Sequence, residues 1–136
     1  MPNFLQVTPF LFVDDIDRIV DFFTHSLGFK LYVRYDEFAY VQRGSAGVRI
    51  LGGGAKAGRD PIYFDVEEVD ALWTELRATL DDNALRNHLE GPRDQTYGQR
   101  EFTVFGPENV GIFFGQEIFR DEPAWERAQR EAGGAA

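Results

Sequence analysis

The sequence predicts an α+β fold made of two copies of one module in tandem, and three observations predict it. An ungapped internal repeat aligns Val13-Asp14-Asp15-Ile16-Asp17-Arg18-Ile19-Val20 with Val66-Glu67-Glu68-Val69-Asp70-Ala71-Leu72-Trp73, and a repeat of this kind sets the architecture before local structure does. An apolar, strand-like run stands before each copy, Pro9-Phe10-Leu11-Phe12 and Ile62-Tyr63-Phe64, and a helical pattern follows each. The closing segments correspond as well, Val48-Arg49-Ile50-Leu51 to Val110-Gly111-Ile112-Phe113.

In the first helix Ile16, Ile19, Val20, Phe22, Phe23 and Leu27 cover one broad face, and Gly28 is placed to end it. Asp14, Asp15 and Asp17 crowd its start, where carboxylates cap free amides and favour the positive end of the helix dipole. Strands are expected over 30–34, 38–43 and 47–51, with Gly44-Ser45 as a hairpin turn. Residues 52–58, Gly-Gly-Gly-Ala-Lys-Ala-Gly, have the composition of a linker. A phosphate-binding loop is disfavoured there because the Lys-Ser or Lys-Thr pair and a following helix are missing.

The second helix repeats Val69, Leu72, Trp73, Leu76 and Leu80 at intervals of three and four, with Glu67, Glu68 and Asp70 at its start. Strands follow over 100–105 and 110–116 around the turn Gly106-Pro107-Glu108-Asn109. Each half thus reads strand, helix, then up to three strands. One domain is expected over 1–120, with module one at about 5–52 and module two at about 60–118, and a tail over 121–136 that carries a short helix around Trp125.

A chain of 136 residues can bury a core without disulfides or structural metal. Cysteine is absent, which excludes disulfides, thiolate metal sites and a cysteine nucleophile. A net charge of -9 repels polyanions, so nucleic acid is not expected as a partner. Such a surface serves solubility, or in a sharper reading attracts a cationic ligand. The start, MPNFLQVTPF, lacks a basic n-region, and no stretch approaches the roughly 20 apolar residues of a membrane span. A cytoplasmic protein with no membrane partner is expected.

Little supports chemistry. Ser26 and Ser45 have no identifiable base, and the carboxylate pairs Asp36-Glu37 and Asp81-Asp82 are adjacent in sequence, which does not place two carboxyls about one bond. His25 and His88 are expected as surface residues.

Three stretches carry a family resemblance: Thr8-Pro9-Phe10-Leu11-Phe12-Val13 through Leu27-Gly28-Phe29, then Asp36-Glu37-Phe38-Ala39-Tyr40-Val41, then Tyr97-Gly98-Gln99-Arg100-Glu101-Phe102-Thr103-Val104 to Gly106-Pro107-Glu108-Asn109. On these the sequence resembles the vicinal-oxygen-chelate superfamily of glyoxalases, bleomycin-resistance proteins and dioxygenases, and within it above all the bleomycin-resistance proteins. The resemblance implies two βαβββ modules forming curved mixed sheets, a homodimer, and ligand crevices at the dimer interface. The superfamily's enzymes hold a divalent metal on the first and last strands of each module. The matching positions here are Thr8, Leu51 or its neighbour Arg49, Pro61 and Phe113, a set unsuited to a hard or borderline cation. No metal and no cofactor are expected.

The resemblance points to an aromatic ligand face. Phe10 and Phe12 would alternate inward on the first strand, with Phe38 and Tyr40 on a neighbouring strand, Tyr63 and Phe113 across from them, and Tyr97 at a loop position where the resistance proteins place a ligand-contacting aromatic. Ordinary core packing is the competing account of each Phe; the tyrosines need a partner for their hydroxyls. Asp36 and Glu37 either attract a cation to Phe38 or simply form a hairpin turn. The expected function is a metal-free binding protein, without turnover, that sequesters a cationic planar glycopeptide antibiotic of the bleomycin type. The alternatives are a metal-independent or atypical lyase, isomerase or dioxygenase-like enzyme, using a carboxylate and Tyr97, and a regulatory partner with no ligand.

Overall fold

The computed structural model describes residues 3–53, 60–118, 129 and 131–133. The expected tail helix around Trp125 and most of the linker lie outside them.

The two halves fold as the repeat requires. In the first, β1 (Phe10–Val13), helix α1 (Ile16–Asp21), β2 (Lys30–Tyr35), β3 (Phe38–Arg43) and β4 (Ala46–Gly52) build a four-stranded sheet in the order β1-β4-β3-β2. In the second, β5 (Ile62–Asp65), α2 (Val69–Arg77), β6 (Arg93–Asp94), β7 (Gln99–Phe105) and β8 (Gly111–Glu117) build the sheet β5-β8-β7-β6. Each sheet is mixed: its first strand runs parallel to its last, and the other pairs are antiparallel. The short β6, which pairs Arg93 with Glu101, has no counterpart in the apolar pattern, because its two residues are charged and exposed.

Strand alternation divides each sheet into a core face and an outer face. Leu11, Val13, Ala39, Val41, Val48 and Ile50 are buried on one side of the first sheet, and Ile62, Phe64, Phe102, Val104, Ile112 and Phe114 on one side of the second. Both sets belong to one core cluster that also takes in Ile16, Ile19, Val20 and Phe23 from the first helix and Val69 and Leu76 from the second. The helices therefore lie between the sheets, and the outer faces of the two sheets point away from each other.

Specific contacts join the modules. Phe29 meets Phe64 at 5.5 Å between ring centroids, and Gly106 is required beneath Phe22, whose ring would stand 2.7 Å from a β-carbon there. Arg43 donates to both Glu75 carboxylate oxygens, at 2.7 and 2.8 Å, and to the Leu27 carbonyl at 2.9 Å. Glu108, left-handed at φ 57°, accepts the backbone N–H groups of Asp14 and Asp15 at 2.8 and 2.9 Å. A loop of the second module thus supplies part of the cap of the first module's helix.

The first helix departs from its expected form. Its α-helical part ends at Asp21 and continues as a π-helical turn over Phe22–Ser26, with the Leu27 N–H bonding the Phe22 carbonyl. Gly28, at φ +76°, then ends it. The helix-start acids are also reassigned. Asp15 caps the Arg18 N–H, but Asp17 pairs with Arg34 and Asp70 with Arg100. Glu68 makes no capping bond; the first free amide of α2, on Val69, is taken by Gln116 Oε1 at 2.9 Å.

Candidate functional site

On the outer face of the first sheet, alternation brings Phe10 and Phe12 of β1, Arg49 and Leu51 of β4, and Phe38 and Tyr40 of β3 to one side. Phe10 is 59% exposed and packs edge-on to Phe12 at 6.1 Å. The Tyr40 ring lies over Gly47, where a β-carbon would overlap its hydroxyl, and that hydroxyl donates to Gln42 Oε1 at 2.9 Å. Asp36 and Glu37 form the β2–β3 turn, beside a broad, open concavity of about 850 Å³ lined also by Asp17, Arg34, Tyr35 and Phe38. Arg49 already stands over the Phe38 and Tyr40 rings, its guanidinium carbon 5.9 and 5.8 Å from their centroids. The aromatic surface next to the acidic pair therefore carries a resident cation, which competes with any ligand cation for the same ring faces.

On the outer face of the second sheet, Tyr63 and Phe113 are cross-strand neighbours with rings stacked at 5.9 Å and 13°. Here the phenol covers Gly115, the counterpart of Tyr40 over Gly47, and its hydroxyl donates to Gln99 Oε1 at 3.1 Å. Burial, then the nearby Glu101 and Asp65 carboxylates, push the Tyr63 phenol up to about 12, so it serves as a hydrogen-bond donor and not as a base at neutral pH.

Glu101 stands directly across from Gly115 on this face, 2% exposed, and its Oε2 is buried without a hydrogen-bond partner. Burial raises its pKa above the usual carboxylate value, a rise only partly offset by the Tyr63 hydroxyl. In the sequence Glu101 is only the middle of Arg100-Glu101-Phe102, and nothing adjacent to it points to a role. The signal was its place in β7, in register with Thr103 and opposite to Phe102 and Val104, a charged residue alternating with core.

Within one chain, then, Phe10, Phe12, Phe38 and Tyr40 come together, as do Tyr63 and Phe113, but the two groups sit on opposite sides of the molecule. Tyr97, 60% exposed, lies in the turn that leads into β7, on the second module. The expected opposition of Tyr63 and Phe113 to Phe38 and Tyr40 does not occur inside a single chain.

The surface assignment of His88 is corrected. His25 is exposed, whereas His88 is 6% exposed, its Nδ1 accepting the Thr103 backbone N–H at 3.2 Å and its carbonyl accepting the Trp73 indole N–H at 3.0 Å. Burial, and secondarily the charge of Arg93, lower its pKa, so the neutral ring serves as a sheet-edge acceptor for an amide that β6 is too short to pair. Of the positions that the resemblance matches to the superfamily's metal ligands, Pro61, Phe113 and Leu51 offer no side-chain donor, Arg49, the alternative to Leu51, carries a positive charge, and Thr8 offers a single hydroxyl, a set that does not suit a cation. Among the described residues no three His, Asp or Glu side chains converge to hold an ion, and no helix is long and apolar enough to cross a membrane.

Comparison with known proteins agrees with this architecture. A bleomycin-binding protein from the bleomycin-producing Streptomyces verticillus, solved with copper(II)-bleomycin, is similar at a TM-score of 0.70 and 27% identity over 84% of this chain and 97% of its own. A bleomycin resistance determinant encoded on the transposon Tn5 shares the fold at 0.71 and 16% identity, over 85% of this chain and 100% of its own. So does a lactoylglutathione lyase from Agrobacterium tumefaciens, at 0.63 and 14% identity, over 85% of this chain and 96% of its own. No curated protein matches in sequence. The model of the Glyoxalase/Bleomycin resistance protein/Dioxygenase superfamily matches residues 4–114, and the chain belongs to that superfamily.

Proposed function

We propose that the protein is a binding protein that sequesters a planar, cationic ligand of the bleomycin class without turning it over. The observation that carries this is the pair of aromatic outer faces, Phe10, Phe12, Phe38 and Tyr40 on one sheet and Tyr63 and Phe113 on the other, with Phe10 and Tyr63 exposed to solvent in a single chain. Clefts that hold flat ligands are lined in this way, with a few polar groups to set orientation. The similarity to a bleomycin-binding protein supports the ligand class.

The same geometry supports a homodimer. The first face of one chain, set against the second face of another, closes a cleft with aromatic walls and with Tyr97 and the Asp36-Glu37 turn at its rim. Phe4, Leu5 and Val7 precede β1 almost fully exposed, an apolar arm suited to lying on a second copy.

Isothermal titration of metal-stripped protein with metal-free bleomycin tests the reading. Saturation near one ligand per chain, weakened several-fold in Tyr97→Ala, is expected; absence of heat and of any shift in melting temperature defeats it. A second reading, a metal-independent lyase or isomerase, is favoured by one observation, the Glu101 carboxyl, which burial lets hold its proton to higher pH than an ordinary carboxylate and so suits to proton transfer. Turnover of a small metabolite, lost in Glu101→Gln, would establish it instead.

A further inference from the structure

We infer that Glu101 is the charge-recognition group of the second sheet's outer face, its Oε2 accepting N–H groups from a flat amidinium or guanidinium cation carried by the ligand. The inference rests on that face being a ligand surface, as proposed above, and not on which ligand it holds.

A carboxylate oxygen buried with no partner costs several times what a satisfied one does, and β7 holds this one in place where an apolar residue would pack without penalty. Its surroundings are arranged for a flat cation. Tyr63 and Phe113 form a stacked pair two residues along the sheet, with planes 13° apart, and a planar cation seated against that pair presents its N–H edge toward β7. The Tyr63 hydroxyl, parked over Gly115 directly across from Glu101, is the cover that such a group displaces.

The charges facing this carboxyl are Asp65 on β5 and Glu117 on β8, which add to its attraction for a cation, and Arg93 opposite it on β6. Arg93 makes no ion pair with Glu101; its guanidinium lies 3.4 Å from His88 Nε2. The first sheet's outer face differs in this respect, since Arg49 already occupies its rings. On the second face the stacked rings stand beside a buried carboxylate oxygen that has no hydrogen-bond partner.

Benzamidine, a flat aromatic amidinium, is the probe, with benzyltrimethylammonium as a cation of similar size that has no N–H to donate. The expected result is one benzamidine per chain, bound about tenfold more weakly by Glu101→Gln and about tenfold more tightly than benzyltrimethylammonium. Affinity should also rise with pH as Glu101 ionises, with proton release that disappears in Glu101→Gln, a readout independent of any structural effect of the substitution. Equal affinities for the two cations, equal binding by the variant, or a pH-independent affinity overturns the assignment. So do benzamidine binding and proton release that are absent from the parent and appear only in Arg49→Leu, which would mean that a second copy's arginine fills the site. If benzamidine binds and metal-free bleomycin does not, the sequestration reading fails while the Glu101 site stands.

Discussion

The ring of Tyr63 lies so close over Gly115 that a β-carbon at that position would overlap the hydroxyl. The same relationship links Tyr40 to Gly47 in the first module. In both modules a glycine in the last strand makes room for a tyrosine that lies along the sheet instead of standing off it.

Gly115→Ala should therefore lift Tyr63 away from Gln99 and Glu101. The clash is with the far end of a half-exposed side chain, so the stability cost is expected to stay near about 1 kcal/mol, below typical core overpacking. Denaturant titration measures this, and ligand titration of the same variant should show altered affinity; an unchanged affinity would mean that the Tyr63 position does not shape the cleft.

Arg43→Ala should loosen the junction between modules. The bidentate bond to Glu75 holds that carboxyl below the usual range, but Glu75 is half exposed, and screening limits the pair to about 1 kcal/mol. The lost bond to the Leu27 carbonyl adds to this. Because Glu75 titrates low in the folded protein, its stabilisation is present above the unfolded value of 4.5 and is lost as pH falls through its folded value. Acid titration of stability should flatten over that interval in the variant.

His88 and Glu101 should oppose each other in pH dependence. His88 titrates below its usual 6.5, so its contribution is full above 6.5 and declines as pH falls from there toward its folded value. Glu101 titrates above its usual 4.5, so its burial is tolerated below 4.5 and costs stability as pH rises through its folded value. Glu101→Gln should accordingly melt at a higher temperature than the parent at neutral pH, and by little or nothing more at pH 4. A lower melting temperature at neutral pH would show that the ionised carboxylate has a stabilising partner.

Light scattering after size exclusion should give twice the chain mass of 15.5 kDa. Removing residues 1–8, which carry the exposed Phe4, Leu5 and Val7, should shift the species toward monomer at micromolar concentration. A monomeric parent would remove the second copy from the account of the cleft.

Much of this was legible in the sequence. The repeat about Val13 and Val66 gave the two modules, and alternation along the strands gave which residues of one strand share a face: Phe10 with Phe12, Phe38 with Tyr40. Both are local properties, since a period of two sends alternate side chains to opposite sides of a sheet whatever the strand pairs with. Three matters were decided only in tertiary structure. The aromatic groups lie back to back because both sheets turn their core faces, with the helices, toward one shared interior. His88 is buried because β6 is short and leaves the Thr103 amide in need of an acceptor. Glu101 is shut off from solvent, with Oε2 left unpartnered, because β8 brings Gly115, and with it Tyr63, alongside. Each depends on pairing between segments far apart in the chain, and burial is set by what the fold lays over a residue, which its own neighbours in sequence do not specify.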